Sequence, residues 1–148
     1  MNNNPNYFVG VVSLEHAQLG YQGGFTQACH GKKNPLARTK KGDWFVQYSP
    51  KKTFRGKDPY QKFSFIGQIV SDEPYQVQLS PNFHPYRIDI NYIDTTKALH
   101  TDIKTLTPQL SFITNKRYWG MAFRYGFLKI PRQDFALIYH TMTGETLP

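Results

Sequence analysis

Cys29 stands beside His30, and His16, His84, His100 and His140 are scattered along the rest of the chain. A working thiolate needs a base placed against it in space, and neighbouring residues usually point different ways. Cys29 is therefore read as a loop or packing cysteine. The histidines show no metal-ligand spacing, so no metal site is expected. The ten carboxylates are dispersed and form no cluster of the nuclease type. Walker A, Gly-x-Gly-x-x-Gly, nucleophile-elbow and His-Glu-x-x-His patterns are all absent. No catalytic residue and no cofactor is assigned, and the chain is read as not an enzyme.

Binding chemistry is better represented. Phe25 and Gln27 follow the pair Gly23-Gly24 in a glycine-rich segment, and Tyr48-Ser49-Pro50 ends an apolar run. Phe83-His84-Pro85-Tyr86-Arg87 and Tyr118-Trp119-Gly120 also put rings where strands begin or turn. Exposed rings are platforms for a nucleobase, each stacked base contributing about 1–3 kcal/mol. Gln27, Ser49 and main-chain groups of the glycine-rich segment have the donors and acceptors to read the edge of an extruded base. The competing role for any one ring is core packing, which is favoured for Trp44 and Phe65. Trp119, at a turn before a glycine, is the ring most readily assigned to a pocket.

Charge adds a location. The chain carries 18 Lys and Arg against 10 Asp and Glu, net +8 over 148 residues. Ten of the basic residues fall between Lys32 and Lys62, opposed only by Asp43 and Asp58, so this segment alone carries the whole excess. A confined positive field suits a polyanion, most often nucleic acid; its alternative is a solvated, solubilising surface. Lys32, Lys33, Lys51, Lys52 and Arg55 are the expected phosphate-binding residues.

Those residues need elements to hold them. Tyr7–Ser13 reads as a first strand, apolar on both faces and central. Ser13 N-caps a short helix that Gly20 ends. Asn34-Pro35 starts a second short helix, stopped by Gly42. Asp43–Tyr48 alternates, with Trp44, Val46 and Tyr48 on one face and Phe45 and Gln47 on the other. Ser49–Tyr60 reads as a basic loop. Phe63–Val70 is a strand in which Gly67 marks a bulge or a close backbone approach. In Tyr86–Ile93 the residues Tyr86, Ile88, Ile90 and Tyr92 face inward. A short helix is expected around Thr101–Leu106, a strand over Met121–Ile130, and an amphipathic helix after Pro131 that buries Phe135, Ile138, Tyr139 and Met142. Five or more strands with short helices predict an α+β fold around a small, curved mixed β-barrel, the alternative being an ordinary α+β sandwich. Residues 1–6 form an Asn-rich flexible leader unlike a signal peptide, 7–142 one domain and 143–148 a tail. The aromatic content of 16% excludes a disordered or collagen-like chain. A single cysteine leaves no intramolecular disulfide and points to a reducing, cytoplasmic setting. The longest apolar stretches, such as Tyr7–Val12, fall far short of a membrane span.

The ordered series Gly24-Phe25-x-Gln27, Gly42-Asp43-Trp44, Tyr48-Ser49-Pro50 and Phe63-x-Phe65-Ile66-Gly67 carries a family resemblance. It continues through Phe83-x-Pro85-Tyr86-Arg87, Leu110-Ser111-Phe112-Ile113, Trp119-Gly120 and Ile130-Pro131-x-x-Asp134-Phe135. Together these resemble the EVE domain of the PUA-like group, which also contains YTH and ASCH domains, from about Tyr7 to Tyr139. The resemblance implies a PUA-like β-barrel with flanking short helices and a pocket for a modified nucleobase. It puts Gly24, Phe25 and Gln27, then Tyr48, Ser49 and Pro50, then Trp119 and Gly120 around that pocket. Where many members carry a tryptophan near the start of the first strand, this chain has Tyr7-Phe8. The expected function is a non-catalytic module that recognises a modified base in DNA or RNA, with a basic rim for phosphates. Two alternatives stand beside it: a protein-interaction or toxin–antitoxin accessory module, and an enzyme acting on a nucleotide-like small anion.

Overall fold

The computed structural model describes residues 4–148. The flexible leader expected over residues 1–6 lies in part outside the described residues. Asn6, within them, donates its backbone N–H to Asp43 Oδ1 at 2.9 Å and accepts from the Trp44 N–H.

Eight strands are present among the described residues: β1 (Tyr7–Val11), β2 (Phe25–Thr26), β3 (Trp44–Lys51), β4 (Pro59–Ile69), β5 (Tyr75–Gln76), β6 (Tyr86–Tyr92), β7 (Thr101–Asp102) and β8 (Phe127–Ile130). They form a mixed sheet in the order β2-β6-β4-β3-β1-β8, with β5 added to β6 and β7 to β4. β1 and β3 run parallel, in the register Tyr7↔Trp44 to Val11↔Tyr48; the other pairings are antiparallel. The β3–β4 ladder slips twice, between Val46 and Tyr48 and between Ser49 and Lys51. Such irregularities raise local twist and bend a sheet, and this one curls into the half-barrel that the strand-rich sequence predicts.

Both faces of that sheet are covered. Alternation along β3 sends Val46 and Tyr48 into a large core with Phe63, Ile66 and Phe135, while Phe45 enters a second core with Phe8, Leu36, Ile88 and Phe127. Tyr7 and Phe8 divide in the same way between the two cores. The helix α2 (Arg132–Thr143) closes the first face with Phe135, Ile138, Tyr139 and Met142, at the spacing read from sequence. Each such burial contributes roughly 1.5–3 kcal/mol. Trp44 meets the Tyr139 ring edge-on at 5.7 Å, as its expected packing role requires. Asp134, 2% exposed, fastens α2 to the preceding loop by accepting from the Ser111 N–H, the Ser111 hydroxyl and the Phe112 N–H at 2.8–3.0 Å.

Several local elements differ from expectation. The helix α1 (Leu14–Gly23) starts at the Ser13 cap but runs through Gly20 and ends at Gly24, whose φ is +72°. Gly20 serves packing instead of termination: a Cβ there would lie 2.5 Å from the Phe25 carbonyl oxygen. The helix after Asn34-Pro35 is a single tight turn, Leu36–Arg38. Thr39 ends it by directing both its N–H and its hydroxyl to the Leu36 carbonyl. Residues 119–123 form another such turn, so the expected Met121–Ile130 strand is reduced to β8. Around Thr101–Leu106 the helical part is one turn, Ile103–Thr105, capped by Asp102. The expected basic loop is shorter than read, because β3 runs on to Lys51 and β4 starts at Pro59.

Gly67 on β4 lies close against β6, and a Cβ would fall 2.3 Å from the Asn91 carbonyl oxygen and 2.7 Å from the Tyr92 Cα. Both are backbone atoms and cannot turn aside. Gly67→Ala is expected to destabilise the domain by about 2 kcal/mol, roughly 4–8 °C in Tm, measurable by thermal denaturation.

Candidate functional site

Because β1 and β3 are parallel, their C-terminal ends leave the sheet together. Val11, Val12 and Ser13 lead into α1 there, and Pro50 and Lys51 lead into the β3–β4 hairpin. Between them and three loops, around residues 29–31, 79–83 and 124–126, opens a cleft of about 770 Å³.

One wall is built across the β2–β6 pair. Arg87 on β6 places its guanidinium 3.7 Å from the centroid of the Phe25 ring on β2 and donates from Nε to Gln27 Oε1 at 2.7 Å. The ring face attracts the cation, and the hydrogen bond leaves the Gln27 amide nitrogen for a ligand. Deeper, Gln47 Nε2 donates to Thr26 Oγ1 at 2.9 Å and to the Tyr92 hydroxyl at 3.4 Å. The Tyr92 hydroxyl in turn donates to the Phe25 carbonyl, and burial pushes its pKa upward, keeping that proton in place. Gln47 Oε1 is buried and accepts no hydrogen bond among the described residues.

The opposite rim comes from the hairpin. Phe54 stacks on His16 at 5.3 Å and meets His30 edge-on at 6.2 Å, while the Lys51 ammonium donates to the Phe54 carbonyl. Cys29, His30 and Gly31 take φ values of +50°, +63° and +84° in succession. L side chains adopt that region at a cost, so tertiary contacts must hold the turn. Gly31 packs against Pro85, where a Cβ would come within 2.5 Å of Pro85 Cβ, and the Cys29 thiol donates to the Tyr125 carbonyl at 3.3 Å. Cys29 is thus a packing cysteine that joins two walls of the cleft. Lys51, Arg87 and Arg124 line the cleft together with His16 and His30, and no Asp or Glu is among its described lining residues.

Of the residues expected around a base pocket, Phe25, Gln27 and Pro50 line this cleft. Gly24 sits just behind, as the left-handed cap that turns α1 into β2. Four others are placed elsewhere. Tyr48 points to the opposite face of β3, where its ring stacks on Phe123 at 4.1 Å; burial, with Asp102 adding to it, pushes its phenol pKa up. Ser49 is fully buried, its hydroxyl engaged with Ser64 at 2.9 Å. Trp119 is half-buried against the larger core, and Gly120 lies exposed on the 119–123 turn. Alternation along β3 turns Tyr48 away from the Phe45 and Gln47 side. The register shift between Ser49 and Lys51 is what brings Pro50 and Lys51 to the cleft while Tyr48 and Ser49 stay buried. Trp119 and Gly120 lie on a helical turn, not on a strand. Of the expected phosphate ligands, Lys51 lines the cleft; Lys52 and Arg55 are exposed on the same hairpin, and Lys32 and Lys33 follow the 29–31 turn. Sequence reasoning did not assign Arg87, Phe54, Arg124 or Tyr125. Arg87 had a signal, an arginine at an outward strand position beside aromatics; the other three had none.

Among the described residues no group of three or more His, Cys, Asp or Glu could hold a metal ion, and no helix is long and apolar enough to cross a membrane. A curled mixed sheet flanked by two helices, with a cleft at the open end of its parallel pair, defines a PUA-like domain. Within that class the chain belongs to the EVE domain family, whose model matches residues 1–141. It is 41% identical over 138 residues to a UPF0310 protein of Mycobacterium avium, covering 93% of this chain and 98% of that one. Among solved structures, the MmI1 YTH domain superposes with a TM-score of 0.60 at 12% identity, covering 92% of this chain and 93% of that one. The YTH domain of Zygosaccharomyces rouxii MRB1, in complex with N6-methyladenosine RNA, gives 0.56 at 12% identity, over 93% of this chain and 86% of that one.

These placements separate core from cleft. Tyr48→Ala is expected to cost about 3–5 kcal/mol, as truncation of a buried ring does. Lys51→Ala is expected to stay within roughly 0.5 kcal/mol of the parent protein, the usual range for a rim side chain. Urea denaturation of both variants checks the assignment.

Proposed function

We propose that this domain is a non-catalytic reader of nucleic acid that accepts a modified base, unpaired or extruded from its stack, in the cleft between Phe25, Gln27, Arg87 and Pro50. The observation that carries the reading is the cleft itself: a largely apolar cavity with room for a base, whose charged lining residues are cations without a carboxylate among them. Arg87 over Phe25 offers a planar wall for a ring, and the Gln27 amide nitrogen offers a donor to its edge. Lys51 at the rim, with Lys52 and Arg55 on the same hairpin and Lys32 and Lys33 beyond the 29–31 turn, supplies the charge for flanking phosphates. Membership of the EVE family supports the reading, as does likeness in fold to a YTH domain in complex with N6-methyladenosine RNA. One cysteine, held by a hydrogen bond, suits a reducing cytoplasmic setting.

Phosphate contacts and base contacts have different signatures. Affinity for oligonucleotides should fall as salt rises, with a log–log slope of about −0.7 for each phosphate neutralised on a single strand. Joint replacement of Lys51 and Lys52 by Ala should weaken modified and plain oligonucleotides alike and flatten that slope. Arg87→Leu should remove the preference for the modified base, a loss of about tenfold in the ratio of affinities, with the salt slope reduced by no more than one contact. Fluorescence anisotropy across DNA and RNA oligonucleotides carrying N6-methyladenine or 5-methylcytosine checks this. Absence of binding to every modified oligonucleotide contradicts the reading.

A further inference from the structure

The turn after the 119–123 segment shows an unusual combination of a fixed backbone and an unattached ring. Its main chain is held at three points. The Cys29 thiol donates to the Tyr125 carbonyl, the Val11 N–H donates to the Gly126 carbonyl at 2.8 Å, and the Gly126 N–H donates to the Phe123 carbonyl at 3.2 Å. Gly126 adopts φ +79°, and a Cβ there would come 3.0 Å from the Cys29 sulfur, so the turn has little freedom to rearrange. The side chain it displays is Tyr125, 72% exposed at the lip of the cleft. Among the described residues no hydrogen bond of its hydroxyl is seen, and the Arg124 guanidinium stands 5.6 Å from the ring centroid.

An aromatic ring that projects from a rigid turn loses little conformational freedom when something stacks on it. Paired with a guanidinium, it suits a flat, electron-rich partner attached to an anion, and it does so next to a cleft with cationic lining. We infer that Tyr125, flanked by Arg124, is a stacking platform for the nucleotide adjacent to the one in the cleft, so that the domain takes a single-stranded segment with unstacked neighbours. The inference rests on the base-reading function proposed above and adds a second subsite to it. Its occupant is the base of a neighbouring nucleotide, with Arg124 placed toward the intervening phosphate. A duplex from which one base is flipped keeps its neighbours stacked on their own helix and leaves this ring unused.

The test uses the whole chain and its Tyr125→Ala and Tyr125→Phe variants. The probes are N6-methyladenosine and 5-methylcytidine alone, short single-stranded RNA and DNA oligonucleotides with that base in the middle, the same strands with one neighbour made abasic, and the corresponding duplexes. The parent protein should prefer single strands to duplexes and lose about tenfold in affinity when the neighbour on one side is abasic, but not on the other. Tyr125→Ala should lose a similar factor on intact single strands, become indifferent to the abasic neighbour, and bind the free nucleoside as the parent does. Tyr125→Phe, which keeps the ring, should retain the parent affinity, and melting temperatures should match across the three proteins. If the nucleoside binds and Tyr125→Ala leaves single-strand affinity unchanged, the platform is refuted while the base-reading function stands. If no nucleoside binds but single strands still bind through Tyr125, the base-reading function falls and takes with it the role of this ring as a subsite beside a base in the cleft. Binding to none of the probes overturns both, and equal binding of duplexes and single strands overturns the platform.

Discussion

The parallel pairing of β1 with β3 is the constraint on which the rest of this domain depends. Two adjacent parallel strands, both with apolar residues on alternate sides, cannot leave a face open to water, so each face of the sheet acquires its own core. Tyr7, Val46 and Tyr48 look one way and Phe8 and Phe45 the other. With both faces covered, the concave space left to a ligand lies at the strand ends, where β1 gives way to α1 and β3 to its hairpin. The cleft is there. Its chemistry follows from what arrives at that end: a hairpin rich in cations, a short strand carrying Phe25, and a left-handed turn closed by Cys29.

The same constraint explains which residues sequence reading could place. Strand alternation in 44–48 and 86–92 was legible because apolar side chains at period two have only one way to bury. The helix over 132–143 was equally legible from its 3.6-residue period. Gly67 was readable as a close approach because a glycine inside an apolar strand has few other uses. Phe25 and Gln27 were found through the glycine-rich segment before them and Pro50 through the strand end, and all three line the cleft.

Tyr48, Ser49 and Trp119 show where that legibility stops. Pro50, the motif neighbour of Tyr48 and Ser49, lines the cleft, but which side of a strand faces it depends on register with other strands, a property of the folded sheet. Trp119 lies on a helical turn packed against the larger core. Tyr48 and Pro50 are two residues apart, yet a register shift between Ser49 and Lys51 separates their surroundings. The walls themselves are long-range: Gln27 meets Arg87 across 60 residues of sequence and Cys29 meets Tyr125 across 96. No local spacing encodes such contacts. The excess charge was visible as a property of residues 32–62, but Arg87 and Arg124, outside that segment, reach the cleft as well. The rim is therefore assembled from three separate parts of the chain.

The central claim is that ligand enters at the strand ends and not on the face that carries Trp119. Titration of a methylated nucleoside into isotope-labelled protein, followed by amide chemical shifts, tests it most directly. Shifts should be confined to residues 25–31, 47–54, 87 and 124–126, with Trp119 and Gly120 unmoved. Shifts centred on residues 118–120, or none at saturating nucleoside, contradict it.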